Sequence, residues 1–256
     1  MNRSYVVTGG GRGIGKAVVE HLLGDADTVV AVERDLAELA WMAGHPARAR
    51  LIGVTGDAAD ETVAARAADL AQAAGPLAGW VNNAAVFEDA SLHSATTGHV
   101  LDLIAANLDA AVVGCATAIR RFLAARTPGA IVNLSSHQAR QAVPGCLPYA
   151  TAKAAIEGMT RALAVEYGPH GIRVNAVAPG SVATERYAEF LGSQGPAAAA
   201  RVEREMALIH PLGRVAQSRE IAAAIAYLLS DCAGFITGAT VPVDGGRSVL
   251  AHDPEA

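Results

Sequence analysis

Tyr149 and Lys153 stand four residues apart in Tyr149-Ala150-Thr151-Ala152-Lys153, and Ser136 precedes the tyrosine by thirteen residues. On a helix, residues four apart share one face. A phenol beside an ammonium group is easier to ionise, because the cation favours the phenolate. Such a pair is a general acid and base for a carbonyl or alcohol oxygen. A hydroxyl delivered from a separate strand end can hold the same oxygen. Alone, Tyr-x-x-x-Lys is a frequent pattern on solvated helix faces. It gains weight from a second motif in the first twenty residues, Thr8-Gly9-Gly10-Gly11-Arg12-Gly13-Ile14-Gly15.

The elements that must position these groups alternate along the chain. Short apolar, β-branched runs lie at 5–8, 28–32, 51–55, 79–83, 130–135, 172–178 and 239–243. Segments rich in Ala, Leu, Glu and Arg lie between them, at 14–23, 35–43, 60–74, 98–125, 149–167 and 219–230. Near-continuous apolar strands separated by helices predict a seven-stranded parallel sheet covered by helices on both faces. The expected fold is α/β, a single Rossmann-type doubly wound domain spanning residues 1–256, with no linker, repeat or charge block to divide it. Residues 181–212 break the alternation. They hold Gly192, Gly195 and Pro196, then an alanine-rich helix at 197–209. Three readings stand for this insertion: a substrate lid, a surface excursion, or a subunit contact.

In its strand–loop–helix setting, the glycine stretch predicts a dinucleotide site. Glycines let the backbone approach a pyrophosphate, and the helix N-terminus offers free N–H groups. Gly9, Arg12, Gly13, Ile14 and Gly15 are the candidates there. Glu33 ends the second strand about twenty residues later, where an acid can accept hydrogen bonds from the adenosine ribose and repel a 2′-phosphate. Arg12 and Arg34 pull toward a phosphate. Glu33 holds the more decisive position, so NAD is expected over NADP. Asp57, with Ala58 beside it, is either a partner for the adenine amino group or a helix cap. Asn83 and Ala84 leave room for a ribose, and Asn82 can tie neighbouring strands together.

Composition excludes other classes. The chain is 52% apolar and 18% charged with net charge −5, and no Lys/Arg run exceeds two residues, so no nucleic-acid footprint is present. Cys115, Cys146 and Cys232 fit no zinc or disulfide framework, and no His/Asp/Glu cluster has metal-ligand spacing. The apolar run 221–229 is too short to span a bilayer. Residues 1–8 enter a strand-like run with no basic leader, so a cytoplasmic location without membrane contact is expected.

The chain resembles the short-chain dehydrogenases/reductases across nearly its whole length. The resemblance rests on Thr8-Gly9-x-x-x-Gly13-x-Gly15, Asn82-Asn83-Ala84, Asn107, Ser136, Tyr149-x-x-x-Lys153, Pro179-Gly180 with Thr184, and the segment 238–246. Two departures stand out: Ala85 replaces a usual glycine, and Glu33 stands where aspartate is commoner. The resemblance implies an NAD(P)-dependent oxidoreductase that interconverts a secondary alcohol and a ketone. Tyr149 would exchange the proton, Ser136 hold the reacting oxygen, and Lys153 lower the tyrosine pKa and hold the nicotinamide ribose. Asn107 would anchor a water linking Lys153 to solvent. Pro179, Gly180, Val182 and Thr184 would line the nicotinamide and phosphate side. A homotetramer through the helices at 98–125 and 149–167 is the family's common assembly. His137 and Gln138 follow the serine and read either as substrate contacts or as a solvated loop; Cys146 reads as buried filler or as a further substrate contact. The alternatives are an NADP-dependent enzyme similar to 3-oxoacyl-carrier-protein reductases, a non-catalytic dinucleotide sensor, and an epimerase or dehydratase on the same sheet.

Overall fold

The computed structural model describes residues 3–24 and 27–251. The elements run β1 (Ser4–Thr8), α1 (Gly13–Gly24), β2 (Thr28–Glu33), β3 (Leu51–Thr55), α2 (Glu61–Ala74), β4 (Leu77–Asn82), α3 (Thr97–Ala125), β5 (Gly129–Leu134), α4 (Leu147–Tyr167) and β6 (Ile172–Pro179). Then follow β7 (Val182–Ala183), α5 (Glu185–Ser193), α6 (Pro196–Ile209), β8 (Ala216–Gln217), α7 (Ser218–Leu229) and β9 (Thr240–Val243). Seven strands form one sheet in the order β3-β2-β1-β4-β5-β6-β9, parallel at every pairing. The order reverses between β1 and β4, and a doubly wound sheet binds its ligand outside the carboxyl ends of the strands at that reversal. Both the glycine loop and the Asn83–Ala84 turn leave the sheet there.

Strand side chains alternate between two cores. Tyr5 and Val7 join Val18, Val19 and Leu22 of α1 and Ile221, Ile225 and Leu228 of α7 on one face. Val6 points the other way, into a core with Trp80, Ile131, Val174 and Phe122 of α3. Ala64, Ala67, Ala68 and Ala71 form the buried face of α2 at helical spacing, and their small size lets that helix lie close to the sheet.

Two expectations need correction. The segment 35–43 is not an α-helix: Asp35 caps a 3₁₀ helix at Leu36–Gly44, and Leu39 is its one buried residue, so no amphipathic face holds a wider helix. The insertion at 181–212 holds two helices, α5 and α6, rather than one, and neither has a fully buried residue.

The helix α3 is long and apolar enough to cross a membrane, with a mean hydropathy of 1.6 in its best window. Here its inner face packs on the sheet through Cys115, Ala118, Ile119 and Phe122. Leu101, Val112 and Leu123, eleven residues apart and so on one line, remain exposed on the outer face.

Candidate active site

The turn after β1 is held from behind by Asn83. Its Nδ2 donates to the carbonyls of Thr8 at 3.0 Å and Gly9 at 2.9 Å. The Thr8 hydroxyl in turn accepts from the backbone N–H of Asn83 at 3.1 Å and of Ala84 at 3.2 Å. Gly15 cannot carry a side chain: a Cβ there would lie 1.9 Å from the Gly9 carbonyl oxygen. The loop is thus pressed onto the start of α1, whose first N–H groups remain for an anion. One of them, Gly13 N–H, donates at 2.9 Å to the Glu185 carboxylate, so an anion already sits where a phosphate belongs. The cradle fits a dinucleotide.

Glu33 folds back onto the same loop. One carboxylate oxygen accepts from Gly11 N–H at 3.1 Å and the other from Arg34 N–H at 2.8 Å. Arg12 lies 3.6 Å from Glu38, both at the surface. The cap reading of Asp57 is wrong. Asp60 caps α2 by accepting from Thr62 N–H at 2.7 Å, whereas Asp57 closes a local turn by accepting from Ala59 N–H at 2.9 Å.

At the end of β5 the two serines part. Ser135 donates to the Glu157 carboxylate at 3.1 Å. Ser136 accepts from Gln138 N–H at 3.1 Å, and its hydroxyl lies close enough to the Tyr149 hydroxyl to favour the phenolate. Pro148 sits in the first turn of α4, where its missing N–H costs nothing. Tyr149 follows it and Lys153 lies one turn on, its Nζ 5.4 Å from the phenol ring centre. That ammonium donates to the Leu134 carbonyl at 2.7 Å and is 2% exposed. Ser136, Tyr149 and Lys153 therefore meet beside the carboxyl ends of the strands, as their spacing predicts.

The electrostatic balance differs from the expected one. Burial pushes the Tyr149 phenol up to about 12, against the Ser136 hydrogen bond and the Arg186 charge, which pull it down. Burial also pushes Lys153 down to about 8. In this geometry desolvation outweighs any help from the ammonium, and the opposing pull comes from Ser136 and Arg186.

The amide of Asn107, buried within α3, braces the loop after β4: Oδ1 accepts from Val86 N–H at 2.9 Å, and Nδ2 donates to the Leu103 carbonyl at 3.0 Å. Asn82 ties strands, as expected, donating to Asn133 at 2.8 Å. Cys115 lies against that pair, and burial raises its thiol to about 12, which makes it inert core.

His137 is not a solvated loop residue. It is buried, with Nδ1 3.2 Å from the Pro179 carbonyl and Nε2 without a partner among the described residues. Burial, then the nearby Arg247, holds it down at about 4, so it is neutral. Gln138 lies against Cys146, and its Oε1 is buried without a partner. The Cys146 thiol donates to Asp89 at 3.4 Å; burial and that carboxylate raise its pKa. Gly180 passes so close to Asp244 and His210 that a Cβ would meet them at 2.9 and 3.0 Å. Val182 pairs with β8, and Thr184 caps α5, its methyl facing Gly13.

Sequence reasoning missed Phe87, which packs on Tyr149, and Glu185 and Arg186 on α5. No local pattern marks them: Phe87 meets Tyr149, Glu185 meets Gly13 and Arg186 meets Phe87 only through the folded chain. A separate cavity of about 540 Å³ opens between the loops at 91–93 and 142–147, and none of Ser136, Tyr149 and Lys153 lines it.

Comparison with known proteins agrees with this geometry. Residues 9–248 match the family model described as Enoyl-(Acyl carrier protein) reductase. The chain is 35% identical over 255 residues to 2-(S)-hydroxypropyl-CoM dehydrogenase 3 of Xanthobacter autotrophicus, covering 97% of this chain and 98% of that one. It is also 35% identical over 248 residues to the 3-oxoacyl-(acyl-carrier-protein) reductase of Pseudomonas aeruginosa, covering 94% and 95%. Among solved structures, ElxO with NADP bound superposes with a TM-score of 0.87 at 26% identity, covering 98% of this chain and all (100%) of the other.

Proposed function

This chain belongs to the short-chain dehydrogenases/reductases, and from that premise we propose that it interconverts a secondary alcohol and its ketone with NAD as the preferred cofactor and Tyr149 as the proton carrier. The observation that carries the reading is the meeting of Ser136, Tyr149 and Lys153 next to the glycine loop. When bound, the dinucleotide supplies or accepts the hydride. Ser136 holds the reacting oxygen. The Tyr149 hydroxyl gives its proton to a ketone oxygen, or takes one from an alcohol. Lys153, fixed by Leu134, holds the nicotinamide ribose and sets a positive charge beside the phenol. Each amide atom of Asn107 has one protein partner, which leaves a lone pair and an N–H for a water linking Lys153 to solvent. Pro179, Gly180, Val182 and Thr184 line the nicotinamide side, and α5 and α6 form a lid. Replacement of Tyr149 by phenylalanine tests this reading.

The preference for NAD rests on Glu33, whose carboxylate lies on the loop at Gly11 and repels a 2′-phosphate. The NADP-dependent reading, with chemistry like that of the 3-oxoacyl-(acyl-carrier-protein) reductase, draws on Arg12, Arg34 and the NADP bound by ElxO. Kinetics with both cofactors decide. We expect higher kcat/KM with NADH, and Glu33→Ala should weaken NAD binding and narrow the gap. Use of NADPH about tenfold more efficiently than NADH overturns the preference.

A homotetramer accounts for the exposed stripe Leu101, Val112 and Leu123 on α3 and for Val165 on α4. Light scattering at micromolar concentration should return four chains; a monomer refutes the assembly.

A further inference from the structure

The lid carries a cation that the proposed function does not use. Arg186 lies in the first turn of α5, next to Glu185 on the Gly13 N–H and two residues after the Thr184 cap. The Thr184 cap, its methyl facing Gly13, sets the turn beside the glycine loop, while the Arg186 side chain reaches Phe87 on the loop after β4. Its guanidinium carbon is 4.0 Å from the centre of the Phe87 ring. Phe87 in turn lies 4.9 Å from the Tyr149 ring, the two planes inclined by 34°. Two stacking steps thus join the cation to the phenol, and its charge favours the ionised form of both Tyr149 and Cys146.

Among the described residues Arg186 makes no ion pair. Glu88 is paired with His99 at 2.9 Å and Asp89 accepts from the Cys146 thiol. Glu189, three residues on, forms no ion pair with Arg186, and Glu185, which gives up Gly13 N–H when a phosphate takes its place, is adjacent in sequence and does not share a helix face with it. A guanidinium lying on an aromatic ring keeps its N–H groups in the ring-parallel plane, where a planar or tetrahedral oxyanion accepts two of them at once. Its five donors therefore stand one aromatic ring away from the catalytic phenol, without an acceptor among the described residues.

We propose that Arg186 is a specificity-determining residue that binds an anionic group (carboxylate, sulfonate or phosphate) a few bonds from the carbonyl or carbinol carbon of the substrate. This rests on the proposed function, because it assigns one end of the molecule that Tyr149 serves at the other.

The test uses the whole protein with matched ketones: 3-oxobutanoate and 4-oxopentanoate, each against its methyl ester, with NADH and NADPH. The wild type should prefer the acids by about tenfold or more in kcat/KM. Arg186→Gln should bring that ratio toward unity, mainly through the KM of the acids, and Arg186→Lys should keep part of it, since charge remains but the fork is lost. NADH binding on the same preparations verifies folding. Esters used as well as acids by the wild type, or equal losses on acid and ester in Arg186→Gln, overturn the inference. Turnover confined to uncharged ketones such as cyclohexanone overturns it too, and leaves the proposed function standing. Absence of turnover on every ketone by a protein that binds NADH refutes the proposed function and this inference together.

Discussion

Tyr149→Phe is expected to lower kcat by about a hundred- to ten-thousand-fold, the range that a positioned acid or base contributes, while NADH binds nearly as before. The substitution removes one oxygen. The ring remains packed on Phe87 and in reach of Lys153, so the walls of the site stay in place. Ser136 keeps the Gln138 N–H contact at 3.1 Å, and it can still hold a carbonyl oxygen. It cannot replace the proton carrier, because no base adjoins it among its hydrogen-bond partners. Steady-state turnover and NADH binding, measured on one preparation, check the result. Retention of more than about a tenth of wild-type activity on a good substrate means that another group supplies the proton.

Lys153→Met should move activity and stability in opposite directions. The ammonium is nearly wholly buried, and burial lowers its pKa from 10.5 to about 8. Holding it charged at neutral pH therefore costs folding about 3 kcal/mol, partly offset by the Leu134 carbonyl. A methionine of similar length removes that cost, and unfolding in urea at pH 7 should show a gain of about 1–3 kcal/mol. Turnover and cofactor affinity should both fall. The sign of the pH dependence follows from the lowered pKa. Between about pH 8 and 10.5 native Lys153 has shed the proton that the unfolded chain still holds, so its own contribution to stability rises with pH across that window, while buried Cys115, raised from 9.0 to about 12, contributes a fall above pH 9. The Lys153 contribution is read as wild type minus Lys153→Met, which should grow in the wild type's favour across the window. A difference that stays level or moves the other way contradicts the account.

The sheet was legible because the inner strands of a parallel sheet are buried on both faces and read as near-continuous apolar runs; 28–32 and 172–178 fall within a residue of β2 and β6. The glycine loop and the Tyr149–Lys153 pair were legible because each depends on spacing along a single element, whereas Ser136, which follows β5, was marked only by its thirteen-residue gap to Tyr149. Three things were not. The 3₁₀ helix at Leu36–Gly44 has helix-forming composition but only Leu39 to bury. The helix α5 is only nine residues long, and although Tyr187, Phe190 and Leu191 share one face, none of them is fully buried. The direction of the Tyr149 shift depends on desolvation by residues distant in sequence, and Phe87 and Arg186 reach the phenol only through the folded chain. Spacing places a lysine beside a tyrosine; burial decides what that placement does to the proton.

The most direct test of the central claim, that the Tyr149 oxygen carries the proton, is the pH profile of kcat/KM for alcohol oxidation at saturating NAD, in the wild type and in Tyr149→Phe. A phenol must lose its proton before it can accept one, and in this site burial holds that proton on. The account predicts a wild-type rate rising up to about tenfold per pH unit through the range below the phenol's pKa in the complex, with no such rise in the residual activity of the variant. A wild-type profile that is level between about pH 6 and pH 9, or a rise that survives in Tyr149→Phe, contradicts it.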